Sequence, residues 1–229
     1  MVRTLRYSVV CCTLHTCGLV KMKYQFDVIP AFAVPVGITK IDKQFCEPLK
    51  DLVSINADMN AIPEEEQTLI YDQLDKVPEV RDEILKVFTG FINQIILRRR
   101  QDWAITSSWI TENTNGVRME RHQHLNSYYS AVLYFSEVDK EHAPLKFESP
   151  LIRSGFWVEE GMPNFYTGAD FTAPMEEGTI LFFPSYLFHF HAPYKATKIP
   201  RKSLACNFIP IGKYGQFDST LDTRKLHGQ

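Results

Sequence analysis

Paired cysteines are the first thing this sequence lacks. Its 229 residues hold five cysteines, an odd number, with no Cys-x-x-Cys pair. Cys11, Cys12 and Cys17 cluster near the start, while Cys46 and Cys206 stand far apart. Such usage makes neither a disulfide framework nor a zinc ribbon, and it fits a reducing, cytoplasmic setting. No stretch is apolar for long enough to span a bilayer as a helix, so no membrane role is expected. A long basic block is missing too, and the net charge is −2; nucleic acid is therefore not an expected partner. The small run Arg98-Arg99-Arg100 reads as a helix C-terminus, where positive charge suits the dipole. Internal repeats and low-complexity tracts are absent. Acid is absent from the start of the chain, where Asp27 is the first acidic residue.

That acid-free start contains Arg3, Arg6 and Lys21 around Tyr7-Ser-Val-Val-Cys-Cys-Thr-Leu14. It has the outline of a weak signal or transit peptide, but the apolar core is short and broken by Thr13, His15 and Thr16. Translation from Met22 is the reading adopted. Residues 1–21 are then a leader, non-native or poorly ordered, and 22–229 form one domain. Helical support is expected over 43–100 and the core over 103–211.

What is present is apolar and aromatic: 45% hydrophobic residues, with 16 Phe, 10 Tyr and 13 Pro. That profile leans towards β structure with many turns, in a chain long enough for a sizeable core. Residues 31–41 read as an edge strand, since Pro35 cannot donate to a ladder. Lys43 to Val53 reads as a short helical segment. Pro63 opens a helix to about Asp75, with Glu64, Glu65 and Glu66 at its positive end. Val77 to Arg100 is the strongest helix. Val80, Ile84, Val87, Phe88, Phe91, Ile92, Ile95 and Ile96 make its apolar stripe, which is expected to cover the outer face of a sheet. After Arg100 the period becomes strand-like. Strands are expected over 104–111, 127–135, 145–148, 155–158, 179–183, 188–194 and 203–211. Helices first and short strands after suggest a jelly roll with helices on one outer side. The long Gly- and Pro-containing loop from Glu159 to Gly178 is a candidate lid.

Two stretches carry chemistry. In Glu120-Arg-His122-Gln-His124, residues two apart would share one face of a strand. Two imidazoles on one face are a metal-ligand arrangement; the bland alternative is surface or core histidines. Some sixty residues later, Phe183-Pro-Ser-Tyr-Leu-Phe-His189-Phe-His191 supplies a third candidate ligand, followed by Arg201-Lys-Ser203.

The order His-x-His, distal His, then Arg-x-Ser resembles the iron(II)/2-oxoglutarate-dependent oxygenases. The wording around Ser130-Ala-Val-Leu-Tyr134 and from Phe183 through Ser203-Leu-Ala-Cys-Asn207-Phe is similar to a small prolyl-hydroxylase-like branch known from phage and marine bacterial genomes. The likeness covers about Trp109 to Phe208. It implies a double-stranded β-helix (jelly roll) holding Fe(II) and 2-oxoglutarate, with O2 as co-substrate and ascorbate as a candidate reductant. It implies hydroxylation of a peptide or protein side chain or a small molecule. His122, His124 and His189 are the implied metal ligands, since a facial triad leaves positions open. Arg201 and Ser203 are the implied anchor of the co-substrate's far carboxylate, where a guanidinium fork suits a carboxylate. Tyr134 stands where related hydroxylases place a helper of that anchor.

The usual triad has an acid where His124 stands. Three assignments stay open: three histidines hold the iron, Glu120 supplies the carboxylate, or His124 stands behind the metal and leaves a position for water or halide. An imidazole in place of a carboxylate makes the site more positive by one charge. His191 is an alternative ligand, and His142, in a polar turn, reads as solvated. Trp109, Tyr128 and Asn126 are candidate substrate-pocket residues, with Ser127 also in reach; Asn207 is given no catalytic role. Two other functions compete. One is a three-histidine cupin-like dioxygenase or zinc hydrolase without 2-oxoglutarate; the other is a non-catalytic jelly-roll interaction protein, such as a virion component. Arg98–Arg100 and the edge near Pro35 could serve an oligomer.

Overall fold

The computed structural model describes residues 5–6, 27–28, 33–55, 70–97, 100–113, 118–151, 168–193 and 199–225. Met1–Val34 is one compact unit, described by its antiparallel pair β1 (Leu5–Arg6) and β2 (Asp27–Val28). The rest of the expected leader lies outside the described residues. Pro35–Gln229 is the other unit.

This larger unit has two sheets. The first contains β3 (Gly37–Lys40), β4 (Ser54–Ile55), β5 (Asp102–Asn113), β7 (Tyr129–Tyr134), β10 (Thr179–Pro184) and β12 (Arg201–Ile211) in the order β3-β10-β7-β12-β5-β4. The second contains β6 (Met119–His122), β8 (Lys146–Glu148), β9 (Asp170–Thr172) and β11 (His189–His191) in the order β6-β11-β8-β9. Between β5 and β12 the chain passes back and forth between them, the alternation of a double-stranded β-helix. A short pair, β13 (Lys213–Tyr214) with β14 (Leu221–Asp222), follows.

The larger sheet has two unlike faces, because side chains alternate along a strand. Leu204, Cys206 and Phe208 of β12 lie opposite Ile110, Ser108 and Ile105 of β5, and they turn to the helices. Arg201, Ser203, Ala205 and Asn207 point the other way, beside Asn113, Thr111, Trp109 and Ser107. A register shift between Asn207 and Phe208 leaves Thr106 unopposed. This bulge moves Ile105 and Trp103 onto the helix face, where they join the core.

Helix α1 (Lys43–Cys46) runs into a 3-10 turn over Glu47–Asp51, as expected for the first helical segment. Helix α2 (Pro78–Phe91) covers the sheet with Val80, Ile84 and Phe88 buried. Phe88 meets Trp103, Tyr129 and Phe182, and stacks on Phe208 at 3.9 Å between ring centroids. At Ile92–Ile96 the helix loosens to a π turn, and it stops at Leu97. The expected stripe therefore ends early: Ile95 is 66% exposed, and Arg100 is not helical. Gly37 is needed where β3 meets this helix, because a Cβ there would stand 2.8 Å from the Phe91 ring.

The helix expected from Pro63 lies mostly outside the described residues, and its expected end is not α-helical. Asp72 bridges to Ser108 of β5, and Gln73–Lys76 forms a 3-10 turn. The sheet edge offered better partners than another helical turn. The Ser108 hydroxyl accepts from the Leu74 amide at 2.7 Å, and the Tyr71 carbonyl takes the Ser108 amide. Ser108→Ala strands that buried amide and should cost about 1–3 kcal/mol, read as a shifted denaturation midpoint. The strand expected at 155–158 and most of the candidate lid fall on residues outside the described ones.

Candidate metal centre

β6 and β11 pair so that His122 lies opposite His189. The expectation that Glu120, His122 and His124 share one strand face needs correcting, because β6 ends at His122. His124 lies on the crossover to β7, where its amide donates to the Ser185 carbonyl at 3.0 Å. The three rings still converge. Centroids are 4.3 Å apart for His122 and His189, 5.1 Å for His124 and His189, and 5.5 Å for His122 and His124. One ring nitrogen from each lies within 4.8 Å of the others, a grouping that could hold a metal ion.

Each ring is pinned through Nδ1. His122 Nδ1 faces the Glu120 carbonyl at 2.9 Å, and His189 Nδ1 the Leu187 carbonyl at 3.0 Å. His124 Nδ1 faces Asn207 Oδ1 at 2.6 Å, with the Ser130 hydroxyl at 3.0 Å. An acceptor at Nδ1 fixes the proton there and leaves the Nε2 lone pair for a metal. Burial holds two of these imidazoles neutral. His189 is pushed down to about 3 by burial, then by the neighbouring His122. His124 is lowered by burial against the opposing pull of Asn207. Neutral imidazole is the form that ligates, so the donor set fits a divalent metal. Phe183 and Phe147 back His189 at 4.9 and 6.0 Å, an apolar wall on which sequence reasoning placed no weight.

Glu120 lies outside the ligand group. Its side chain is exposed and pairs with Arg118 at 2.6 Å; it reaches His122 through its backbone carbonyl. His191 is buried but lies outside the ligand group, one pair further along β11. Its Nε2 faces Asn113 at 3.4 Å and its Nδ1 the Ala192 carbonyl at 3.0 Å. Burial and the Arg201 charge push it down to about 4.

Arg201, Ser203 and Tyr134 come together on the same inner face. Ser203 lies opposite both Thr111 and Tyr134, with its hydroxyl 2.9 Å from Thr111 Oγ1. Arg201 is 4% exposed, and its Nη1 donates to the Ala143 carbonyl at 2.6 Å. Its guanidinium carbon lies 6.0 Å from the Tyr134 ring centre. Burial raises the Tyr134 phenol, opposed by the Arg201 charge and the nearby Leu145 amide. That amide is not at good hydrogen-bond geometry, so the phenolic oxygen is buried without a partner in the structure. A buried hydroxyl on a ring beside a cation suits an anionic guest.

Of the candidate pocket residues, Trp109 is near the centre, 5.3 Å from the His124 ring. Tyr128 is not brought there; it lies over Trp103 at 5.7 Å and is half exposed. Asn126 is exposed and takes a left-handed φ of 53°, so it serves the turn. Ser127 donates to the Tyr129 carbonyl at 2.7 Å. His142 is a correction: it is buried, accepting from the Asp139 amide and facing the Ile199 carbonyl at 2.8 Å. Asn207 is the residue that sequence reasoning missed. The period-two pattern 201, 203, 205, 207 carried the signal, since it puts Asn207 on the anchor's face.

The outer face of the smaller sheet is of a different kind. Arg121 pairs with Glu148 and lies 3.4 Å from the Phe188 ring centre, and Lys146 pairs with Asp170. An open cleft of about 750 Å³ borders this face. Its charges satisfy one another, and of the histidines discussed it touches only His191.

Residues 107–207 match the family model described as putative 2OG-Fe(II) oxygenase. No curated protein matches the chain. Among solved structures, apo HygX from Streptomyces hygroscopicus has a TM-score of 0.51 at 13% identity, covering 86% of this chain and 90% of HygX. HygX with nickel and 2-oxoglutarate bound has a TM-score of 0.50 at 12% identity, covering 77% and 82%. A Pseudomonas putida prolyl-4-hydroxylase has a TM-score of 0.42 at 16% identity, covering 76% and 86%. The chain aligns over 50% of an oxidoreductase of the 2OG-Fe(II) oxygenase family from Burkholderia pseudomallei, with TM-score 0.39 and 14% identity over 52% of this chain. At these identities HygX speaks for the fold alone.

Proposed function

We propose, on the match over residues 107–207, that the chain is a 2OG-Fe(II) oxygenase and that it hydroxylates a C–H bond of a peptide side chain or small molecule. His122, His124 and His189 hold the iron(II), and Arg201 with Ser203 and Tyr134 receives the far carboxylate of 2-oxoglutarate. The observation that carries this reading is the convergence of three histidines, each pinned at Nδ1. Bound together, the metal and 2-oxoglutarate supply oxidative decarboxylation to succinate and carbon dioxide, coupled to oxygenation of the substrate by O2. The protein's part is to place and to shield. Nδ1 anchors hold the three rings with a nitrogen of each within 4.8 Å of the others, so that they would hold a metal and could leave positions for the co-substrate and oxygen. Phe183 and Phe147 exclude water behind His189. The Arg201 fork offers a fixed charge to a carboxylate, and the Tyr134 phenol gains there the partner it lacks. Trp109, beside His124, is a wall for the substrate.

Separate substitutions test the division of roles. His122→Ala should lose iron(II) in anaerobic titration. Arg201→Ala should keep it while weakening 2-oxoglutarate by about ten- to a hundredfold, the worth of a hydrogen bond to a charged group. Equal iron loss in both variants would contradict the assignment.

A further inference from the structure

The three Nδ1 anchors are not alike. His122 and His189 each lean on a backbone carbonyl two residues away, fixed by their own chain segments. His124 leans on a side chain 83 residues away, on β12 of the larger sheet. His124 is also off the strands, so its backbone does less to aim it. We propose that Asn207 is the positioning residue that makes His124 a metal ligand; this rests on the metal site proposed above.

The amide is itself locked. Asn207 Nδ2 donates to Ser107 Oγ at 3.0 Å, which commits the amide nitrogen to β5 and turns Oδ1 towards His124. Ser130 donates to the same Oδ1 at 2.8 Å, and lies 2.8 Å from Ser185 Oγ. Ser185 in turn bonds Ser127 at 2.8 Å, while its carbonyl takes the His124 amide. Alternation along β12 puts this side chain on the inner face and the next residue, Phe208, in the helix-side core, and the extra residue Thr106 on β5 lets Ile105 face Phe208. Every polar atom around His124 Nδ1 therefore accepts or is otherwise committed, and the proton stays on Nδ1. The metal-facing nitrogen is thus set from across the barrel, by a neutral amide. No carboxylate belongs to the ligand group among the described residues, so Asn207 also decides how electron-rich the third ligand is. A carboxylate in its place would make the imidazole a stronger donor.

Anaerobic titration of the full chain with Co(II), following its visible d–d absorption, tests this without turnover. Asn207→Leu keeps the volume and removes the acceptor. It should weaken Co(II) by about ten- to a hundredfold and move the spectrum towards that of His124→Ala. Asn207→Asp should bind at least as tightly as the parent, a rescue that a merely structural role would not give. Should Asn207→Leu fail to fold, Asn207→Ser, too short to reach His124, gives the same comparison. Parent affinity and spectrum in the acceptor-less variant, beside a weakened His124→Ala, would overturn this inference alone. No Co(II) uptake by the parent would overturn the metal site and this inference with it.

Discussion

Replacing His189 by alanine should abolish iron(II) binding and with it all turnover. A four-ligand protein zinc site gains about 10–16 kcal/mol from its ligands. One ligand is then worth roughly 3–4 kcal/mol, or about two to three orders of magnitude in affinity. His189 is also the most buried of the three, 1% exposed, so no side chain from solvent replaces it. The residual two-histidine site should release iron at micromolar protein, as metal analysis after gel filtration would show. The fold should survive, because the ring sits on the inner face, apart from the helix-covered core. Iron retained at parental stoichiometry in His189→Ala would remove this residue from the site.

Phe88→Ala should be the most damaging single change to stability, at about 3–5 kcal/mol. The ring is fully buried and lies against four other aromatics that belong to β5, β7, β10 and β12. These strands carry Trp109, Tyr134, Phe183 and Arg201, so Phe88 holds together the sheet from which the site is built. Folded domains have only about 5–15 kcal/mol in total, and the loss would show plainly in chemical denaturation. The expected signature is a lowered midpoint with metal affinity retained below the transition. A shift under about 1 kcal/mol would mean that the helix is not the clamp described here.

Sequence periodicity made the helix and the long strands legible. The stripe through Val80, Ile84 and Phe88 falls on the buried face, and 203–211 emerges as a strand that begins two residues earlier. Strands of two or three residues, such as Ser54–Ile55 and Asp170–Thr172, are too short to show a period. They exist because a neighbouring edge offers hydrogen bonds. The end of the helix expected from Pro63 failed for a related reason: Asp72 found the β5 edge, a tertiary contact that no local signal announces.

At the site, three histidines and an Arg-x-Ser spacing were readable as types. Their arrangement was not. His124 joins the cluster from a crossover rather than a strand, and Glu120 is carried away by its pairing with Arg118. His191, one pair further along β11, is taken up by Asn113 and the Ala192 carbonyl, where sequence spacing alone left it equivalent to His189. His142 looked solvated by its polar neighbours, but the Asp139 amide and Ile199 carbonyl give it a buried place. Asn207 acts through a contact between β12 and the crossover that carries His124, and one-dimensional spacing holds no record of which crossover residue faces it.

The measurement that bears most directly on the proposed activity is anaerobic titration of the iron(II)-loaded chain with 2-oxoglutarate, watching the visible metal-to-ligand charge-transfer band. A band that grows and saturates is the expected result, since it requires the 2-oxo acid to chelate an iron held on one face by the histidines. Iron bound with no band at saturating 2-oxoglutarate would contradict the account and point to a three-histidine dioxygenase that works without it.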